Sequence, residues 1–86
     1  MLRKIFTKKA PAAIGCYSQA IQYDKILFSS GQIPINPENG EIVSKDIVSQ
    51  AEQVMKNIGA ILNEAGTDYC SVVKTTCFLS DMNDFA

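Results

Sequence analysis

Residues 47–66, IVSQAEQVMKNIGAILNEAG, decide the fold of this chain because they carry its clearest periodic pattern. Apolar residues recur every three or four positions, as on one face of an amphipathic α-helix. They are Ile47, Ala51, Val54, Met55, Ile58, Ile61, Leu62 and Ala65. Ser44 or Asp46 can cap the start, and Gly66 can take the left-handed conformation past the end. The pattern predicts a helix of about twenty residues.

Four other runs have the composition of β-strands. Leu2–Phe6 alternates weakly, whereas Gln19–Tyr23 and Ile26–Ser30 are rich in isoleucine and aromatic residues. Because only two residues separate the latter pair, they predict a hairpin. Ser71–Ser80 alternates between two partly apolar faces and predicts a final strand. With the helix, these strands predict an α+β fold in which the helix covers one sheet face and a second subunit can cover the other.

The connecting segments carry loop and turn chemistry. Ala10–Gly15 is an apolar loop in which Pro11 restricts the backbone. Ile33–Val43 holds two prolines and an Asn-Gly pair, and it predicts a tight surface turn. Gly31 directly follows a strand, which indicates either a bulge or a place where a ligand can approach the backbone. Gly59 lies inside the helix and indicates that the helix packs closely on the sheet.

The length and composition are those of one small globular domain. The chain has 86 residues, of which 47% are hydrophobic and 20% charged. A chain of this size buries only about 60% of its unfolded surface, so we expect association with another subunit. The residues Asp81–Ala86 have the caps and acidic side chains of a helix start. We therefore expect residues 1–86 to be a single domain that lacks its C-terminal portion.

The composition excludes several kinds of active site. The absence of histidine removes Ser-His-Asp and Cys-His catalysis. Cys16, Cys70 and Cys77 form no CxxC pair, so we expect neither a metal site nor a disulfide framework. Three such cysteines fit a reducing compartment, and we expect a cytoplasmic location, with import into an organelle left open.

The charge pattern argues against nucleic acid and membrane partners. The net charge is −1 and the pI is near 5.2, whereas nucleic-acid-binding domains are usually strongly basic. The one basic group, at Arg3, Lys4, Lys8 and Lys9, lacks interleaved aromatic residues and is typical of a solvated face. No apolar stretch approaches the roughly 20 residues needed to span a bilayer.

Three blocks of the sequence resemble a known protein family. They are APAAIGCYSQAI (Ala10–Ile21), SSGQIPINPENGEI (Ser29–Ile42) and VVKTTCFLSDMNDFA (Val72–Ala86). In this order they are similar to the RidA family, also called YjgF or L-PSP, over nearly the whole chain. The resemblance implies a chorismate-mutase-like α+β fold. It also implies assembly as a homotrimeric barrel with ligand clefts between the subunits.

The resemblance further implies a reaction and a site. Family members hydrolyse reactive 2-imino acids, such as 2-iminobutanoate and 2-iminopropanoate, and their enamine tautomers to 2-oxo acids and ammonia, with no metal or organic cofactor. The family's cleft tyrosine falls on Tyr17, and its strand-end pair falls on Ser30 and Gly31. Gln32 either orients this loop or contacts the ligand. The family's carboxylate-binding arginine and its glutamate do not fall within these residues, so no catalytic residue is assigned.

Other interpretations of the same residues stay open. Without the resemblance, the residues alone favour Tyr17 as an aromatic residue that packs the loop, and Ser30 with Gly31 as strand-end turn chemistry. One alternative function is that of an L-PSP endoribonuclease or translation inhibitor, which an acidic chain without histidine supports poorly. Another is a trimer that binds a small ligand without turnover. Salt-dependent RNA binding would indicate the first, and ligand binding without ammonia release would indicate the second.

Overall fold

A computed structural model describes residues 1–86 as a three-stranded antiparallel sheet and one long helix. Strands β1 (Leu2–Ile5), β2 (Ala20–Tyr23) and β3 (Ile26–Ser29) lie in the order β1-β2-β3. Helix α1 comprises Ile47–Glu64. The predicted α+β class, the three strands that precede the helix and the helix itself are confirmed.

The β2–β3 hairpin forms as the sequence predicts. Tyr23 pairs with Ile26 beside the turn. Asp24 takes a φ of 55°, in the left-handed region that aspartate tolerates better than most residues. This tight turn sets the register of the two strands. As a result, the end of β3 lies beside the start of β2, and Ser30 lies beside Gln19.

Both ends of α1 carry caps that the sequence predicts. Asp46 is the N-cap, and its carboxylate accepts a hydrogen bond from the amide three residues on, over 3.1 Å. Gly66 takes a φ of 85° beyond the other end. Its amide donates to the Asn63 carbonyl, and the Thr67 amide donates to the Leu62 carbonyl. These two bonds form a Schellman motif, so local chemistry bounds the helix at each end.

Acidification is expected to weaken the N-cap of α1. The backbone and side-chain hydrogen bonds from Ser49 lower the pKa of Asp46 from its ordinary value of 3.8. A carboxyl with a lowered folded-state pKa stabilises the fold above its unfolded pKa, and this stabilisation is lost as the pH falls through the folded pKa. Below pH 3.8, we therefore expect the wild type to lose stability relative to Asp46→Asn, which keeps an uncharged cap. Urea denaturation at about pH 3 and about pH 7 tests this. If the free energies of unfolding of the wild type and of Asp46→Asn differ by the same amount at both pH values, the prediction is contradicted.

The core lies between the sheet and α1. It is formed by Ile5, Ala10, Ala20 and Ile61, each at most 2% exposed. Because these residues come from β1, the following loop, β2 and α1, the helix covers one face of the sheet, as predicted. Successive side chains in a strand point to opposite faces, so a second set of apolar residues points away from the helix. This exposed outer face comprises Leu2, Phe6, Tyr23, Ile26 and Phe28.

The predicted final strand, Ser71–Ser80, is wrong. Tyr69–Ser71 is a 3₁₀ turn, and no regular element follows before a second 3₁₀ turn at Met82–Asp84. The backbone of residues 73–80 forms no hydrogen bond with any strand. Alternation of side chains predicts a strand only where a neighbouring strand supplies the ladder, and here none does. The helix start expected at Asp81–Ala86 is present only as that second turn.

Gly59 marks a close approach to α1, as its position in the helix predicts, but the neighbour is not the sheet. The Tyr69 hydroxyl donates to the Met55 carbonyl directly beside it. A Cβ built at Gly59 would overlap this hydroxyl and would lie 3.0 Å from the ring carbon Cζ. The glycine therefore lets the tyrosine ring lie across the helix.

The predicted surface turn within Ile33–Val43 is confirmed. Ile35 and Ile42 form an antiparallel bridge at its base. Gly40 takes a φ of 73°, and its amide donates to the Asn36 carbonyl over 2.8 Å. The Asn-Gly pair therefore supplies the left-handed position on which this turn depends.

Candidate functional site

The candidate site is organised around Gln19, a polar residue that is only 2% exposed. Its Oε1 accepts a hydrogen bond from the Thr7 amide over 2.8 Å. Its Nε2, which carries two protons, lies 3.0, 3.2 and 2.7 Å from the carbonyl oxygens of Thr7, Ala10 and Pro11, so one N–H is shared between two of these acceptors. A single amide thus holds the loop that follows β1 against the start of β2. Because both polar atoms of the side chain are hydrogen-bonded, the residue is buried without an unsatisfied polar group.

Ser30 is bound to the main chain of the same residue. The Ser30 amide donates to the Gln19 carbonyl over 3.0 Å, and the Ser30 hydroxyl donates to the same oxygen over 2.9 Å. These bonds extend the contact between β2 and β3 one residue past their last pair. The partly buried hydroxyl is therefore held in a defined direction at the end of the strand.

Gly31 and Gln32 continue the strand end toward solvent. The Gly31 amide donates no hydrogen bond within the chain, and a Cβ built on this residue would meet no atom within 4 Å. Its φ lies outside the left-handed region, so the local backbone does not require glycine. The Nε2 of Gln32 lies 3.5 Å from the Ser30 carbonyl, at the outer limit of a hydrogen bond. The Gly31 amide is thus a free donor in an accessible position.

Asn57 fixes the segment that follows this strand end. The residue is fully buried in α1. Its Nδ2 donates to the carbonyls of Ile33 and Ile35 over 3.1 and 3.0 Å. Its Oδ1 accepts from the Gln53 side chain over 2.9 Å. Helix α1 therefore anchors the chain just after the strand end, as Gln19 anchors it just before.

Tyr17 lies elsewhere, in a half-open cavity of about 220 Å³. Its ring is about half exposed, and its amide donates to the Gly15 carbonyl over 3.0 Å. Gln19 lines the same cavity, and Lys4 contributes the only charged side chain. The remaining lining is mostly apolar and comprises Ile5, Phe6, Ala12, Ala13 and Ser18.

The structure brings Ser30, Gly31 and Gln32 together but does not place Tyr17 with them. None of the three strand-end residues lines the tyrosine's cavity. Gln19 connects the two places, because its side chain holds the loop near Tyr17 while its carbonyl holds Ser30. The strand end therefore lies outside the cavity that Tyr17 lines.

The roles of the two buried side-chain amides, Gln19 and Asn57, are not predicted from the sequence. For Asn57 a signal exists, because it lies three residues after Val54 and four before Ile61, on the apolar face of the helix. A polar residue at such a position indicates a buried side chain with specific partners. For Gln19 there is no comparable signal. It stands where the loop joins β2, before an alternating pattern has begun.

Tyr17, Ser30 and Gln32 offer hydroxyl and amide groups for chemistry. No group of three or more cysteine, aspartate or glutamate side chains lies close enough together to hold a metal ion, and the three cysteines are free and exposed.

None of the helices combines the length and the apolar character of a membrane span.

Comparison with known proteins gives the family. The family model described as Endoribonuclease L-PSP matches residues 7–86. The chain belongs to the RidA/YjgF/L-PSP family. The 2-iminobutanoate/2-iminopropanoate deaminase of Mus musculus is 51% identical over 86 residues, which cover 99% of this chain and 64% of that protein. The chain therefore spans less than two thirds of this relative, and the family resemblance predicted from the three sequence blocks is confirmed.

Solved structures of the RidA family have the same fold. A Rid family protein of Yersinia pestis matches with a TM-score of 0.97 and 52% identity, over 99% of this chain and 68% of that one. The E. coli protein TdcF, whose structure contains bound serine, matches with a TM-score of 0.91 and 41% identity, over 96% of this chain and 65% of that one. The predicted YjgF/L-PSP-like fold is confirmed, whereas the predicted trimer stays a prediction.

Proposed function

We propose that the full-length protein hydrolyses 2-imino acids, such as 2-iminobutanoate and 2-iminopropanoate, and their enamine tautomers to 2-oxo acids and ammonia. The observation that carries the proposal is the free Gly31 amide beside the fixed Ser30 hydroxyl, at an open strand end. This pair occurs in a chain that is 51% identical to a relative named for that reaction. The bound serine of TdcF also supports a ligand of amino-acid size.

The proposed substrate is small and planar, with a carboxylate next to a C=N bond. In our proposal, the Gly31 amide donates to a substrate oxygen, and the missing side chain lets the ligand lie against the backbone. Gln32 borders the same position. The Tyr17 ring closes the cleft and excludes water from the bound ligand. None of these three residues carries a positive charge that could anchor the carboxylate.

The two separated parts support assembly as a homotrimer with clefts between subunits. The cavity of about 220 Å³ that Tyr17 lines does not include Ser30 or Gly31, which supports a cleft that a second chain completes. The exposed outer face of the sheet offers an apolar surface for such an assembly. In the proposed trimer this face is covered, and the tyrosine of one subunit lies over the strand end of the next.

The chemistry needs only water and proton transfer. Water adds to the carbon of the C=N bond and gives a carbinolamine, which expels ammonia and leaves a carbonyl group. Hydroxyl and amide groups can orient the water and share its protons during these steps. The proposed reaction therefore requires neither a covalent intermediate nor a metal or organic cofactor.

Replacement of Tyr17 by alanine is expected to reduce kcat/KM for 2-iminobutanoate by about a hundredfold, because the cleft opens and the substrate loses its orientation. Tyr17→Phe keeps the ring and removes only the hydroxyl, so we expect a loss of about tenfold at most. The ring is half exposed in the single chain, and both variants should keep the oligomeric state and the stability of the wild type. Steady-state ammonia release and sedimentation velocity measure these quantities. Unchanged hydrolysis by Tyr17→Ala would remove the tyrosine from the site.

RNA cleavage is the second candidate, because the matching family model is described as Endoribonuclease L-PSP. The chain offers little for this reaction. It has no histidine and a net charge of −1, and phosphate contacts depend on clustered positive charge. Incubation of the full-length protein with labelled single-stranded RNA at several salt concentrations distinguishes the two candidates. Cleavage by the wild type that a Tyr17→Ala substitution abolishes would favour the ribonuclease.

A further inference from the structure

The hydrogen bond made by the Ser30 hydroxyl determines whether this oxygen is free to donate or to accept a further hydrogen bond. Its hydroxyl lies 2.9 Å from the Gln19 carbonyl oxygen. A carbonyl oxygen can only accept a hydrogen bond, so the single hydroxyl proton of the serine must point at it. The lone pairs of the serine oxygen are left for other partners. No donor within the chain uses them, since no hydrogen bond to this oxygen is formed.

The Gln19 carbonyl, which accepts this hydrogen bond, is itself held in place. The Gln19 side chain is fully hydrogen-bonded to Thr7, Ala10 and Pro11 and is only 2% exposed. The same carbonyl also accepts from the Ser30 amide over 3.0 Å. Rotation of the hydroxyl toward a ligand would break its bond to the Gln19 carbonyl, so the structure favours the orientation in which the proton points at that carbonyl. The serine is therefore prepared to accept a hydrogen bond from a ligand and not to donate one.

We propose that Ser30 accepts a hydrogen bond from the nitrogen of the bound substrate, and that Gln19 is the positioning residue that enforces this direction. The proposal rests on the function proposed above, and it deepens it by assigning the nitrogen end of the ligand. An imino acid presents N–H at one end and carboxylate oxygens at the other, and the 2-oxo acid product presents no donor at the reacting carbon. The strand end supplies one acceptor at Ser30 and one free donor at Gly31. This pair matches the substrate and discriminates against the product.

A pair of stable ligands tests the assignment. 2-Aminobutanoate carries N–H donors, whereas 2-oxobutanoate carries only acceptors at the same carbon. Binding of each is measured by calorimetry on the full-length wild type, on Ser30→Ala and on Ser29→Ala. Ser29 is a matched control, because its hydroxyl also donates to a main-chain carbonyl, that of Ser30, over 2.9 Å but lies outside the proposed site.

We expect Ser30→Ala to lower the affinity for 2-aminobutanoate about tenfold, since the lost hydrogen bond involves a charged donor. The affinity for 2-oxobutanoate should change less than about twofold. Ser29→Ala should leave the affinities for both ligands unchanged. Ser30→Thr keeps the oxygen and should restore the preference. Should Ser30→Ala fail to fold, Ser30→Cys is assessed by the same criterion, because its thiol fills the space and accepts weakly.

Three results overturn the proposal, and they can be distinguished from one another. An equal loss for both ligands, or a loss for 2-oxobutanoate alone, shows that the serine donates or only packs, and it leaves the proposed deaminase function intact. If neither ligand binds the wild-type protein at millimolar concentration, the proposed function fails, and this assignment fails with it.

Discussion

Replacement of Gln19 by alanine is expected to lower the free energy of unfolding by about 4 kcal/mol, a large part of the stability of a small domain. The side chain makes four hydrogen bonds to the loop that follows β1. Its removal leaves the Thr7 amide and several carbonyls without partners, and two of the residues involved, Thr7 and Ala10, are buried. Each buried polar group left without a partner costs roughly 1–3 kcal/mol. The midpoint of urea denaturation measures the loss.

Gln22→Ala is the matched control for this substitution. Gln22 belongs to the same strand, but its side chain bonds only to Arg3 and to the Asp24 carbonyl, at the surface. We expect it to change the free energy of unfolding by less than about 0.5 kcal/mol. Equal denaturation midpoints for Gln19→Ala and Gln22→Ala would show that the buried amide does not hold the loop.

Asn57→Ala is expected to cost about 3 kcal/mol of stability. Its side chain is the link between α1 and the segment after the strand end, through bonds to Ile33 and Ile35. Alanine is the better helix former, so the helix itself gains a few tenths of a kcal/mol, and the net loss isolates the missing hydrogen bonds. Asn57→Asp should be at least as harmful, because a carboxylate has the same size but offers no donor to the two carbonyls.

Asn63→Ala serves as the control, since Asn63 is an exposed residue of the same helix. The same gain in helix propensity applies there, and no buried carbonyl loses a partner. We therefore expect Asn63→Ala to be neutral or slightly stabilising in urea denaturation. A similar effect of alanine at positions 57 and 63 would contradict the role of Asn57.

The parts of the fold that the sequence predicts correctly depend on local chemistry. The Asp46 cap, the Gly66 Schellman motif and the hairpin turn each involve residues close together in the chain. The wrong element, Ser71–Ser80, depends on a partner strand far away in sequence. Its alternating pattern is real, but no ladder forms. Periodicity reports which side chains share a face, and it does not report whether the backbone has a neighbour.

The candidate site likewise has features that follow from the local sequence and features that depend on residues far apart in the chain. Ser30, Gly31 and Gln32 are contiguous, so their proximity follows from the sequence, whereas the separate location of Tyr17 does not. The direction of the Ser30 hydroxyl depends on Gln19, eleven residues earlier, and becomes visible only once β2 and β3 are paired. The direction of this hydroxyl therefore depends on the register of the two strands, which no local pattern encodes.

Ammonia release from freshly generated 2-iminobutanoate by the full-length wild-type protein tests the central claim most directly. The spontaneous hydrolysis in buffer is subtracted, and Tyr17→Ala is run in parallel. We expect a rate that rises in proportion to protein concentration and that is about a hundredfold lower in the variant. A rate equal to the buffer background at every protein concentration would contradict it and would leave a ligand-binding or RNA-directed role for this fold.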